Sequence, residues 1–217
     1  MSAERTVSAA SEKAYLELSR RIIVGDLAPG SLLTEGECSV ELGMSRTPVR
    51  EAFLRLSAEG LLRLYPKKGA VVTSDDGAAM PQLLEARLLL EVAGVQAVAN
   101  DPEARQRHLD ELARHLHAQL ASATNGDALA FARADHAFHV AVATATGNTI
   151  LASFYEQLRV RLERLTVSAV RSGRVGLEEF LDQHRRLEEL FRAGDASGYE
   201  HLLRAHMGVY GAEGFMA

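Results

Sequence analysis

Three histidines and one aspartate carry the most specific chemistry in this sequence. Asp135 and His139 stand four residues apart, so on a helix they share a face, one that also holds Phe131, Phe138 and Val142. His184 falls within a helical stripe of Leu177, Phe180, Leu181, Leu187 and Phe191, and His206 within one of Tyr199, Leu202, Val209 and Tyr210. An ionisable group in an apolar stripe is costly unless it is paired or bound to metal. One such histidine is ordinarily a hydrogen-bonded core residue. Three of them with an aspartate, on helices facing a common core, favour a divalent ion over a polar network without one. Imidazole and carboxylate suit zinc, nickel, manganese or iron. Four protein ligands either close a tetrahedral site or, on a metal of larger coordination number, leave room for water or a small ligand. The other five histidines, His108, His115, His117, His136 and His201, fall off the apolar stripes and are expected at the surface.

A second constellation is cationic. On a helix beginning near Ser45, the residues Val49, Ala52, Phe53 and Leu56 share one side, while Arg46, Thr47 and Arg50 cluster at the N-terminal end about a third of a turn away. A helix entering a DNA major groove presents its base-reading groups there. Arginine can address guanine bidentately, and threonine a phosphate or a thymine methyl. Pro48 sits in the first turn, where its missing N–H costs little. Further on, Lys67 and Lys68 precede Gly69 in a turn, an arrangement that lets the backbone pass close to a phosphate.

These residues need elements to hold them. A first helix is predicted over Glu12–Val24, a short second helix from the capping pair Thr34 and Glu37 to Leu42, and a third from Ser45 to about Ala58. Leu61–Tyr65 and Ala70–Thr73, around Pro66–Gly69, read as a β-hairpin. Helix, turn, helix and hairpin is the order of a winged helix-turn-helix. Ser74 to Gly77 reads as a linker. The remainder is helical throughout, with six helices at about 80–99, 103–122, 127–145, 149–172, 177–193 and 196–211. The fold expected is mostly α, with a DNA-reading domain over 1–74 and an all-α bundle over 75–217.

Charge follows the same division. Residues 1–74 hold ten Lys/Arg against nine Asp/Glu, and residues 75–217 fourteen against twenty, within a net charge of −5. Only the first half suits a phosphate backbone, and at +1 it needs its cations on one face and two copies of the domain. No run of 18 or more apolar residues suggests a membrane span. The first fifteen residues lack the apolar core of a secretory signal, and a single cysteine, Cys38, excludes an intrachain disulfide. A reducing cytoplasm is the expected compartment.

The stretches GDLAPGSLL, ELGMSRTPVREAFLRLSAEGLL and KKGAVV resemble the winged-helix domain of bacterial GntR-family regulators. EARLLLE, ADHAFHVAVATATGN, DQHRRLEELFRAGDA and LLRAHM resemble the FCD domain of the FadR subfamily. The first resemblance implies that Arg46, Arg50 and Gly69 contact operator DNA. Several relatives carry an arginine where this chain has Gly36, so one contact of the family is missing. The second resemblance implies that Asp135, His139, His184 and His206 bind a divalent metal and that small organic acids bind beside it. Arg87 either helps bind the carboxylate or pairs with Glu91 one turn on, and Asn148 either faces the pocket or caps the next helix. Together these imply a homodimeric transcriptional regulator, a repressor, reading a palindromic operator under control of a small carboxylate. Two alternatives stay open. One is a metal-dependent enzyme acting on a small acid, although no HExxH, Gly-rich phosphate loop or Ser/His/Asp arrangement accompanies the ligands. The other is a regulator for which the metal itself is the signal.

Overall fold

A computed structural model describes residues 8–74, 79–173 and 176–210, the side chain of Val209 excepted. Of the linker expected at Ser74–Gly77, residues 75–77 lie outside the described residues, as does the last residue of the helix expected to reach 211. The chain divides into two units, Met1–Ser74 and Asp75–Ala217.

In the first unit, α1 (Ala9–Ile23), α2 (Glu35–Glu41) and α3 (Arg46–Ala58) precede a hairpin of β2 (Leu62–Tyr65) and β3 (Gly69–Val72). Thr34 caps α2 by accepting the Glu37 N–H and donates its hydroxyl to the Glu37 carboxylate, as the capping pair predicts. Ser45 precedes α3 without a side-chain cap bond. The two-residue strand β1 (Leu32–Leu33) is too short to leave a periodic signal. It pairs antiparallel with β3, giving the order β1-β3-β2. The core joins Ala14, Leu18 and Ile22 of α1 to Val49, Phe53 and Leu56 of α3, with Leu61, Ala70 and Val72 closing it from the sheet. Over this core the Arg55 guanidinium stacks 3.4 Å from the Tyr15 ring centroid and pairs with Glu12 and Glu59, fastening α3 to α1.

The second unit holds six described α-helices: α4 (Ala79–Val98), α5 (Pro102–Thr124), α6 (Ala128–Ala143), α7 (Thr149–Ser172), α8 (Leu177–Ala193) and α9 (Ala196–Met207). Short 3-10 turns follow α6 and α9. Asp101, Asp127, Asn148 and Asp195 each accept backbone N–H bonds as N-caps, which is why the helices begin where they do. Helices α4 and α6 carry apolar residues on every side, the mark of central helices. Accordingly α4 packs against α6 and α9, and α6 against α5, α4 and α7.

Helices α4 and α6 approach closely at Gly94. A Cβ built there would collide with the Val142 carbonyl oxygen and stand 3.2 Å from Ala143 Cα. Gly94 lies one turn beyond Glu91, so this close approach sets how near α4 can bring its polar groups to α6. Gly94→Ala is expected to force the helices apart, lowering stability by about 1–3 kcal/mol and the Tm by roughly 3–10 °C. Thermal unfolding checks this, and an unchanged Tm would show that the crossing can open without cost.

Candidate metal centre and nucleic-acid interface

Helix α6 supplies Asp135 and His139, α8 supplies His184 and α9 supplies His206. All four side chains are buried, none more than 2% exposed. One potential ligand atom from each falls within 4.8 Å of the other three. His184 Nε2 is 3.0 Å from both His139 Nε2 and Asp135 Oδ1. Aromatic edges wall the cluster: Phe138 meets His184 edge-on at 5.0 Å between ring centroids, and Phe180 meets His206 at 4.9 Å.

Each chemical detail favours a cation. Among the described residues, His206 Nε2 is buried without a hydrogen-bond partner, and Asp135 Oδ1 has no hydrogen bond beyond its 3.0 Å approach to His184 Nε2. Burial opposes ionisation of Asp135, but its contacts with His139 and His184 hold it well below the usual carboxylate range. Burial lowers the His184 imidazole despite the neighbouring Asp135. Burial, with His184 and Arg87 nearby, pushes His206 well below its ordinary value. An ionised carboxylate and neutral imidazoles are the protonation states that metal ligation requires.

Around the ligands lies a layer that sequence reasoning mostly missed. Glu91, 0% exposed, accepts from Arg87 Nε at 2.9 Å and the Tyr155 hydroxyl at 2.8 Å on one oxygen. On the other it meets His139 Nδ1 and accepts the Tyr199 hydroxyl, each at 2.7 Å. Burial raises its pKa, yet His139 and Arg87 hold it down to about 2. Thr166 donates to Asp135 Oδ2 at 3.0 Å, and Gln183 Oε1 stands 2.8 Å from His206 Nδ1. The Arg87-to-Glu91 spacing was a visible signal for one of these bonds, and Tyr199 was visible in its stripe. Tyr155, Thr166 and Gln183 left none, because their partners come from other helices.

Of the two expectations for Arg87, the structure contains the pairing with Glu91. Arg87 also donates to the Tyr210 hydroxyl at 3.3 Å, while its Nη2 stays buried without a partner among the described residues. Asn148 is exposed, and its Oδ1 accepts the N–H groups of Ile150 and Leu151, so its place is the cap of α7 rather than the buried cluster. One control histidine departs from expectation. His136 is 4% exposed, its ring 5.5 Å from that of Tyr155, because α7 covers a side of α6 that lies outside its strongest apolar stripe. His117 and His201 are exposed, and His108 and His115 are half-buried.

In the first unit, Val49, Ala52, Phe53 and Leu56 are buried while Arg46, Thr47 and Arg50 are exposed at the start of α3. A groove of about 640 Å³ between α3 and the hairpin turn is lined by Arg46, Arg50, Lys67, Lys68 and Gly69, with Glu35 also at its edge. Gly36 lies beside Arg46, whose guanidinium would be 3.7 Å from a Cβ at that position. Gly69 has φ +105°, and a Cβ there would collide with the Leu33 carbonyl, so the pairing of β1 with β3 itself demands glycine. At the hairpin tip, Lys68 N–H bonds the Tyr65 carbonyl at 3.0 Å, with Pro66 leading and Lys67 at φ 61°. That is a type II turn whose third position, usually glycine or asparagine, is filled by a lysine.

Comparison with known proteins agrees with both halves. Residues 10–72 match the family model of bacterial regulatory proteins of the gntR family, and residues 82–209 match the FCD domain. A protein of Paenarthrobacter nicotinovorans described as a D-xylose utilization operon transcriptional repressor is 30% identical over 95% of this chain and 88% of its own length. The HTH-type transcriptional repressor RspR of Escherichia coli K12 is 28% identical over 86% of this chain and 81% of its own. The structure of E. coli McbR/YncC shares the fold, with a TM-score of 0.71 and 24% identity over 92% of this chain and 94% of that one. These relatives are regulators of transcription and not enzymes, and no described helix is long and apolar enough to cross a membrane. The chain belongs to the GntR family of DNA-binding transcriptional regulators, in the branch whose C-terminal half is an FCD domain.

Proposed function

We propose that this regulator is a cytoplasmic repressor whose hold on a palindromic operator is released by a small organic acid bound at a divalent metal. The observation that carries the reading is the buried convergence of Asp135, His139, His184 and His206, with His206 Nε2 unpartnered among the described residues, in the same unit as an arginine with an unpartnered Nη2. These four residues would hold the ion, which could be zinc, nickel or manganese. When bound, it supplies a Lewis-acidic point for a carboxylate oxygen. Arg87 offers the second charge that a carboxylate needs. Glu91 is already saturated by four donors and stands outside the ligand set.

Operator reading falls to Arg46, Thr47 and Arg50 at base edges, with Lys67, Lys68 and the Gly69 backbone against phosphates. Few cations and a single recognition helix per chain call for two copies and a two-fold site. Ile150 and Phe154, one turn apart on α7, and Leu89 on α4 are large apolar side chains more than half exposed, and they suit the second copy. The repressors among the relatives support the sign of the response.

Purified protein is expected to carry about one divalent ion per chain by elemental analysis, as a single four-ligand site requires, and His184→Ala is expected to lose it. Loaded protein should then release operator DNA on titration with a panel of small carboxylates. Absence of metal from wild type after reloading with zinc, nickel and manganese would overturn the metal reading. Operator affinity that follows metal concentration alone, with no response to any acid, would make the metal the signal.

Lys67 offers a separate test of the hairpin. Its left-handed backbone costs about 1–2 kcal/mol, which asparagine tolerates better. Lys67→Asn should therefore keep or slightly raise stability while weakening operator binding several-fold. The slope of log affinity against log salt should shrink by about 1. Unchanged DNA affinity and slope would remove Lys67 from the interface.

A further inference from the structure

Three of the four ligand residues are gripped from behind, and each grip is different. Asp135 receives the Thr166 hydroxyl on Oδ2, so Oδ1 is the oxygen left for the centre. His139 turns Nδ1 to a carboxylate and His206 turns Nδ1 to an amide oxygen, while His184 Nδ1 has no partner among the described residues.

Proton placement follows from the chemistry of the partners. Glu91 already takes donors on both oxygens, from its other three neighbours, Arg87, Tyr155 and Tyr199. Burial and the Glu91 charge push both tyrosines well above the ordinary phenol range, so they remain donors. A carboxylate in that position can only accept, so the fourth contact requires a proton on His139 Nδ1. At Gln183 the amide nitrogen points to Glu179 Oε1 at 3.5 Å, which turns Oε1 toward His206 and again places the proton on Nδ1. A neutral imidazole protonated at Nδ1 has its lone pair on Nε2. His139 Nε2 faces His184 Nε2 at 3.0 Å, and His206 Nε2 is buried without a hydrogen-bond partner among the described residues.

We propose that Glu91 and Gln183 are positioning residues that lock His139 and His206 in the Nδ1–H tautomer, so that each presents an Nε2 lone pair to the space between the four ligands. This inference rests on the metal reading only for its effect on affinity; the tautomers stand or fall without an ion. Glu91 carries charge and makes His139 the stronger donor. Gln183 orients His206 without charging it. His184 is held only by its packing against Phe138 and Phe180 and by its contacts inside the cluster.

The test uses the full-length chain with ¹⁵N-labelled histidine, chelator-treated and zinc-loaded, read by long-range ¹H–¹⁵N correlation. Treated wild type is expected to show His139 and His206 protonated at Nδ1, and loaded protein the same two ligated through Nε2. Gln183→Leu should abolish the preference at His206 alone and weaken zinc, measured by chelator competition, about 10-fold. Gln183→Glu should restore the tautomer and bind zinc at least as tightly as wild type. Glu91→Gln should cost about 10- to 100-fold, and if that variant does not fold, the Gln183 pair still decides. Nε2–H tautomers in wild type would overturn the proposal, as would a Gln183→Leu protein with His206 and its zinc affinity unchanged. Correct tautomers in a wild type that binds no metal would uphold the positioning roles and sink the metal reading instead.

Discussion

A buried carboxylate with four donors is the constraint around which the C-terminal unit is arranged. Glu91 draws Arg87 from its own helix, His139 from α6, Tyr155 from α7 and Tyr199 from α9. An unpaired charge at that depth would be prohibitively costly, so each donor must arrive and the four helices must keep their mutual placement. Gly94 makes the arrangement possible by letting α4 approach α6 to backbone contact. The result fixes the His139 ring from outside the buried cluster of Asp135, His139, His184 and His206.

How much of this was legible in the sequence depended on range. Period and caps are local, so the six C-terminal helices and the Thr34–Glu37 capping pair could be read directly. The convergence of Asp135, His139, His184 and His206 was also legible, because each sits in an apolar stripe and stripes point inward. What could not be read were pairings between helices. Thr166 and Gln183 are unremarkable residues until α6 and α9 are placed beside them. His136 failed in the opposite sense: a helix packed on several sides buries its less apolar faces too, and a wheel shows only the most apolar one. The strand β1 escaped because two residues have no period, and its existence depends on Gly69, which lies far along the chain at the start of β3.

In the N-terminal unit, structure and interface make competing demands on the same residues. Gly69 was expected to admit a phosphate, yet the contact with the Leu33 carbonyl already requires glycine there. Lys67 is the reverse case: the turn prefers another residue, and a lysine is kept in a left-handed conformation all the same. An observed departure from local preference points to function more strongly than a residue the fold already explains. At Gly36 a side chain would come into van der Waals contact with the Arg46 guanidinium, so the residue there bears on where that guanidinium can swing.

Burial of the ligand set also has a temporal side. With all four side chains no more than 2% exposed, nothing the size of a hydrated ion reaches them until helices part. Entry and escape of an ion held there would be paced by the opening of the bundle, a local unfolding event, rather than by the strength of the bonds inside. A regulator built this way would exchange its ion slowly and keep the one acquired near the time of folding. Its metal identity would then be set by the supply present when the chain was made.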